Sequence, residues 1–461
     1  MSGLKINFDK SEVVVLGYPR KFSERIADNL NSQSSSFPMN YLGVPVRDSR
    51  ILIRDLAPLL GRVRAKAEPW CGRFTSKGSK SILIDSCLSS LPMYIMGLYI
   101  LPEGVHAAFD KELSRFFWQD RTGRQKYHMV RWADVCAPKD LGGIGIISSR
   151  HMNVALMLKW VWRILSDDGG LWLKLIKAKY LRGDGRGTMF WLDTWLGDRP
   201  LNLVFPDLFA ICANPSSLVA EVALEGWDFV FRRGLTQGEA LSLDSLRDLL
   251  PDALPGGLDA PSWRLTPSGT FSVRTAYRAL FRGPLLPWTG PLFKAPIPLK
   301  TKIFLWQLLR DRLPSGVEVM KRHGPGNGLC PLCAVPETTT HIMFSCTAAR
   351  FLWSFLLEAL GPEWQASALG EFIEVRANTT GRRRRLFWLL FAALSWTLWT
   401  VRNKMVIERI LPRRASDSVF SFLALLQQWY PLCRQRDKER LDGMLEDLLA
   451  AARRISTPSS L

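Results

Sequence analysis

Three cysteines and one histidine fall close together as Cys330, Cys333, His341 and Cys346, with the spacing C-x2-C-x7-H-x4-C. Two cysteines separated by two residues can chelate one ion from a tight knuckle. A histidine and a cysteine a little more than one helical turn apart can close a tetrahedron around it. Thiolate and imidazole donors suit a borderline-soft cation, which favours Zn2+, and four protein ligands leave no open position for water. The spacing therefore predicts a structural zinc site rather than a hydrolytic one. Such sites contribute on the order of 10–16 kcal/mol to folding in zinc-finger peptides at neutral pH. The alternative is a free Cys333 thiol beside a hydrogen-bonded core His341. Against it stands concentration: three of the eight cysteines and one of the five histidines lie in this short stretch. His323 reads as a loop residue.

Other stretches imitate chemical motifs without completing them. Leu141-Gly142-Gly143-Ile144-Gly145 lacks the third glycine of a dinucleotide fingerprint. Gly183-Asp184-Gly185-Arg186-Gly187 is not followed by Gly-Lys-Ser/Thr, so it is no P-loop. Both read as turns, as does the adjacent pair Asp167-Asp168. Trp160, Trp162 and Trp172 have helical spacing and read as core faces rather than a base-stacking platform. Cys71, Cys87, Cys136, Cys212 and Cys433 are scattered, which suits small buried hydrophobes in a reducing compartment rather than a disulfide framework.

These residues sit in a chain of 461 residues, long enough for about three domains. Its 47% hydrophobic and 22% charged content is globular and excludes disordered, collagenous and coiled-coil classes. Lys and Arg number 61 against 42 Asp and Glu, a formal net charge of +19. That balance calls for an anionic partner, nucleic acid first and anionic membrane second. The excess is +8 over residues 1–150 (22 basic, 14 acidic), +1 over 151–290 (15 and 14) and +10 over 291–461 (24 and 14). The first residues have no apolar signal core. The run Leu386 to Val401 is shorter than the roughly 20 residues a bilayer needs, and it predicts a buried helix. The expectation is an intracellular protein, nuclear or cytoplasmic, with no membrane segment.

Apolar periodicity predicts helices over 50–68, 78–100 with an interruption at Pro92, 105–118, 151–165, 171–181, 299–313, 347–360 and 386–411. Val13 to Leu16 reads as a buried strand ending at Gly17, and 190–298 as short strands, prolines and turns. The tail after Arg453 reads as frayed. The fold class is mainly α with small β elements.

The motifs together resemble plant LINE-type (non-LTR) retrotransposon reverse transcriptases. Cys330-Pro331-Leu332-Cys333, Glu337-Thr338, His341, Cys346 and Trp353 are similar to that family's zinc-binding region. So are Phe271-Ser272-Val273-Arg274-Thr275-Ala276-Tyr277 and Pro298-Leu299-Lys300-Thr301-Lys302-Ile303-Phe304-Leu305-Trp306. Leu4-Lys5-Ile6-Asn7 with Lys10-Ser11-Glu12 resembles the segment just past the polymerase active site. Tyr41-Leu42-Gly43-Val44-Pro45, Ser89-Ser90-Leu91-Pro92, Trp132-Ala133-Asp134-Val135-Cys136, Leu141-Gly142-Gly143-Ile144-Gly145 and Phe190-Trp191-Leu192-Asp193-Thr194-Trp195 resemble stretches downstream of the palm. Leu398-Trp399-Thr400-Val401-Arg402-Asn403 resembles the segment after the zinc module.

The resemblance implies a palm-end remnant over 1–48, a helical thumb and connector over 49–182, a mixed linker over 183–268, a zinc-binding domain over 269–362 and a helical region over 363–461. In the family, paired palm aspartates bind two metal ions for polymerisation. They would lie just ahead of the segment matched by Leu4 to Glu12. No catalytic residue is carried over, and Mg2+ enters only if an upstream palm is supplied. The expected role is a non-catalytic fragment that holds RNA or DNA non-specifically through phosphates. Candidate contacts are Arg62, Arg64, Lys66, Arg73, Lys77, Lys80, Arg121, Arg124, Lys126, Arg382, Arg383, Arg384 and Arg385. The remainder of a retrotransposon polyprotein is a further expected partner. One alternative is an RNA-directed DNA polymerase whose aspartates come from upstream or in trans. Another is a domesticated zinc-dependent protein-interaction module, or a translated remnant without a role.

Overall fold

The computed structural model describes residues 7, 11–71, 76–119, 127–166, 169–180, 188–224, 226–251, 261–364, 369–370 and 381–456. Two compact units result, one formed by 1–158 with 273–461 and the other by 159–272.

The larger unit is built around two helices buried over most of their length. In the helix Leu299–Leu309, Ile303, Phe304, Leu305, Trp306 and Leu308 are all buried, the pattern of a helix enclosed by others. It packs on the helix Lys77–Leu83. Gly78 sets the approach: a Cβ there would sit 2.8 Å from the backbone nitrogen of Lys300. On another side lies the helix Gly381–Asn403, in which every residue from Leu386 to Leu394 is buried. This is the core helix that the apolar run predicts. No helix among the described residues is long and apolar enough to cross a membrane. Around it pack the helices Thr347–Leu360, Ser416–Trp429 and Gln435–Ser456. The spans 49–182 and 269–362, distinguished in the sequence, contribute side chains to this one core.

The last helix, Gln435–Ser456, is held by Leu441, Leu448, Ala451 and Ala452, which form a buried stripe under its charged face. Of the tail after Arg453 that the sequence reads as frayed, 454–456 are helical and 457–461 lie outside the described residues. The expected strand Val13 to Leu16 is corrected. Only Glu12–Val13 pairs, parallel to Gln33–Ser34, and Leu16 is exposed. A two-residue ladder covers nothing, and the chain turns at Gly17, with φ +77°, into the helix Arg20–Asn29. The other β element is a hairpin, Met39–Tyr41 against Val44–Val46. Its turn residues Leu42 and Gly43 both have positive φ, as a tight hairpin turn demands.

The smaller unit has its own core of Phe190, Trp191, Leu201, Leu208, Val222 and Leu246. The expectation of short strands here is corrected to helices: Leu201–Val204, Pro206–Ile211, Val219–Leu224 and Gln237–Leu249. The last begins at a reciprocal cap. The Thr236 hydroxyl accepts from the Glu239 N–H, and the Glu239 carboxylate accepts from the Thr236 N–H at 2.8 Å. Trp160 and Trp172 meet edge to face at 5.1 Å, half-buried, with the Arg163 guanidinium against both rings. Asp167-Asp168 and Gly183 to Gly187 lie outside the described residues.

Candidate metal centre

Cys330 and Cys333 ride on a short hairpin closed by backbone hydrogen bonds. The Glu337 N–H donates to the Gly328 carbonyl and the Cys330 N–H to the Val335 carbonyl, each at 2.8 Å. The Ala334 N–H turns back to the Cys330 carbonyl at 2.9 Å. This curl places Ala334 at φ +55° and Gly328 at φ +72°, a left-handed conformation that an alanine adopts only under constraint. His341 opens one wide π-helical turn, His341–Ser345, in which the Cys346 N–H donates to the His341 carbonyl at 2.8 Å, and its own N–H donates to the Thr338 hydroxyl at 3.1 Å. Cys346 is the N-cap residue of the helix Thr347–Leu360.

These elements bring the four side chains together. One donor atom from each of Cys330, Cys333, His341 and Cys346 lies within 4.8 Å of all the others. The Cys346 sulfur is 3.8 Å from the Cys330 sulfur and 3.8 Å from the Cys333 sulfur. A disulfide needs about 2.05 Å, and all three thiols are free. Sulfurs on a tetrahedral ion with bonds of about 2.3 Å stand about 3.8 Å apart. His341 Nε2 is buried and has no hydrogen-bond partner among the described residues. Leaving such an atom unpaired costs about 1–3 kcal/mol, and a metal ion would supply the partner. The donor set fits Zn2+, which would here be a structural ion held by four protein ligands.

The local electrostatics have two parts. The Thr347 hydroxyl, 3.4 Å away, and the Thr347 N–H hold the Cys333 thiol below its usual range. Burial pushes Cys346 up to about 12, against the pull of the Ala348 N–H and with the neighbouring sulfurs adding to the rise. Both amides belong to the first turn of the helix Thr347–Leu360, where unpaired N–H groups favour negative charge. Burial lowers the His341 pKa from its ordinary value, with Glu337 opposing and Arg350 helping, which favours the neutral ring that a ligand needs. Three adjacent sulfurs repel as thiolates; a divalent cation among them relieves that repulsion.

A residue the metal spacing leaves out anchors this centre. Glu337 is 1% exposed, and its carboxylate accepts from the Gly316 N–H at 2.7 Å and from Arg402 Nε at 3.0 Å. Its adjacency to Thr338 in the Cys–His interval is visible in the sequence, but its partner 65 positions away is not. Trp353 supports the same region, donating to the Met343 carbonyl at 2.7 Å and stacking on Phe344 at 5.4 Å.

The candidate phosphate contacts divide. Arg62, Lys66 and Arg383 are exposed, and Arg384 is half-buried. Arg64 is paired with Glu112 at 2.7 Å, and Arg385 with the buried Asp437 at 2.7 Å. Lys77 donates to Gln307 Oε1 at 2.9 Å over the Trp118 ring. Lys80 is 3% exposed, donating to the Gln119 carbonyl at 2.8 Å over the Phe116 ring. The expectation of a solvent-facing Lys80 is thereby corrected: the close approach at Gly78 turns this helix inward. Arg73, Arg121, Arg124 and Lys126 lie outside the described residues, as does the Arg382 side chain. Lys111 and Arg115, one turn apart on the helix Glu103–Trp118, are exposed beside the Arg64–Glu112 bridge.

Residues 271–353, which contain all four metal-ligand candidates, match the family model described as zinc-binding in reverse transcriptase. The chain is 26% identical over 355 residues to a protein of Arabidopsis thaliana named "Putative ribonuclease H protein", covering 67% of this chain and 57% of that one. It is also 26% identical over 153 residues to an uncharacterized mitochondrial protein of Arabidopsis thaliana, covering 24% of this chain and 99% of that one. The chain thus spans little more than half the length of the first of these relatives.

Proposed function

We propose that this chain is the part of a plant LINE-type reverse transcriptase that holds RNA or DNA, with its zinc-binding domain stapled by one Zn2+. The observation that carries the reading is the gathering of Cys330, Cys333, His341 and Cys346 within 4.8 Å, inside the matched residues 271–353. The ion's role is structural, because the four protein donors complete its tetrahedron and leave no place for a reacting water. Nucleic acid would be gripped through phosphates, without reading of bases, by cations free to face solvent such as Arg62, Lys66 and Arg383. The net charge of +19 supports an anionic partner. No residue of this chain is given a role in nucleotide transfer; Mg2+ chemistry would belong to a palm that supplies aspartates. The remainder of a retrotransposon polyprotein would be the natural protein partner.

The test is elemental analysis of the purified chain, with one zinc per chain expected. Cys330→Ser and Cys346→Ser should each release it and loosen residues 299–360 in hydrogen exchange. A zinc-free wild-type chain that folds cooperatively overturns the metal half of the proposal. The absence of binding to an RNA–DNA duplex at micromolar protein and low salt overturns the other half.

A further inference from the structure

We infer that Glu337 and Arg402 are positioning residues of the metal site, so that the zinc ligands and the end of the helix Gly381–Asn403 order together. The inference rests on the zinc reading above and adds a partner for the site from outside residues 271–353. Arg402 stands in the last turn of that helix and is 8% exposed. A guanidinium so buried needs a full set of partners. Its Nε and Nη2 engage the two oxygens of Glu337 as a fork, its Nη1 donates to Asn403 Oδ1 at 3.1 Å, and its planar group lies 5.0 Å from the Trp399 ring.

Glu337 in turn fixes the ligand loop at both backbone and side chain. Its N–H closes the cysteine hairpin on Gly328, its carbonyl accepts from the Val317 N–H at 3.3 Å, and its carboxylate accepts from Gly316. There is no room to shift: a Cβ at Gly316 would stand 3.0 Å from the Glu337 carboxylate. One small cavity is lined by Cys330, His341 and Cys346 together with Leu398, Val401, Arg402 and Met405. The helix end is thus a wall of the metal site, tied by an ion pair to the loop carrying two of its ligands. Removing groups that orient metal ligands lowers affinity about 10–100-fold. By linkage, whatever the helix end contributes to ligation, ligation returns to the helix end.

The experiment uses the full chain. Zinc affinity is measured by competition with a chromophoric chelator for the wild type, Glu337→Gln and Arg402→Lys; the second variant keeps the charge and loses the fork. Cobalt(II) spectra report ligand geometry in each. Expected are affinities weaker by about 10-fold or more in both variants, with altered cobalt bands. Hydrogen exchange on the wild type, with and without zinc, keeps the inference open to refutation if the variants fold poorly. Amides of 398–405 should exchange faster once zinc is stripped. Unchanged exchange there, or variants matching the wild type in affinity and cobalt spectrum, overturns the inference while leaving the zinc reading intact. A wild-type chain that takes up no zinc overturns both.

Discussion

The indole N–H of Trp306 donates to the carbonyl oxygen of Gly142 at 2.6 Å, joining residues 164 positions apart. Arg310 donates to the same oxygen through Nε at 3.1 Å and Nη2 at 2.8 Å. The glycine-rich turn at 141–145 is therefore a receptor for the central helix Leu299–Leu309, not a phosphate cradle. Gly142 takes φ +91° to present its carbonyl, and Gly143 passes so close to Ala137 that a Cβ would lie 1.8 Å from the Ala137 oxygen.

Gly143→Ala should accordingly destabilise the larger unit by about 1–3 kcal/mol or more, the cost of overpacking against backbone. Gly61→Ala should do the opposite. It lies within the helix Ala57–Ala67 with open space around its Cβ position, and the gain should be about 0.5–1 kcal/mol. Urea denaturation of the two variants checks the opposite signs.

Exposed and buried cations should behave differently in nucleic-acid binding. Arg62→Ala with Lys66→Ala should weaken binding to a labelled RNA–DNA duplex. It should also flatten the dependence of log K on log salt by about 0.9 for each phosphate no longer neutralised. Lys80→Met should instead lower stability by about 1–3 kcal/mol, since the Gln119 carbonyl is then left without its donor. Fluorescence anisotropy and denaturation on the same samples separate the two effects; equal weakening of binding in both variants would contradict the assignment.

The stability carried by two buried histidines should fall as pH drops below neutrality, against an opposite contribution from Asp85, which burial pushes up to about 6. His106 is buried, with Nδ1 2.9 Å from the Ser149 hydroxyl. Burial lowers its pKa below 6.5, helped by Arg150 and opposed by Glu103 and Asp110. His151 is stacked on Phe281 at 4.1 Å, and burial lowers it likewise. The unfolded chain thus binds these protons first. The stabilisation is complete above about pH 6.5 and is lost as pH falls through the lower folded values. Between about pH 7.5 and 5.5 the wild-type urea midpoint should fall relative to that of His106→Gln, which lacks the His106 proton.

Much of the metal site could be read from local chemistry. The spacing of Cys330, Cys333, His341 and Cys346 names ligands that one hairpin, one helical turn and one helix cap can gather, all within 17 residues. The helices of the larger unit were likewise legible wherever an apolar stripe or run dominated, as at Leu386 to Leu394. Where local signals were mixed the reading failed. Prolines and aromatics concealed the helices of 201–249, although Thr236 with Glu239 carried a capping signal. Dense charge concealed the stripe of Gln435–Ser456.

The amino-acid sequence by itself determined which side chains could chelate an ion and which segments had to be buried, because both depend on residue type and short spacing. Only the tertiary structure decided that Lys80 points inward, that Glu337 meets Arg402, and that Trp306 grips Gly142. Those outcomes turn on partners 39 to 164 positions away. No periodicity encodes such distances; they are fixed when helices pack closely enough that each buried polar group must find whatever partner the neighbouring element presents.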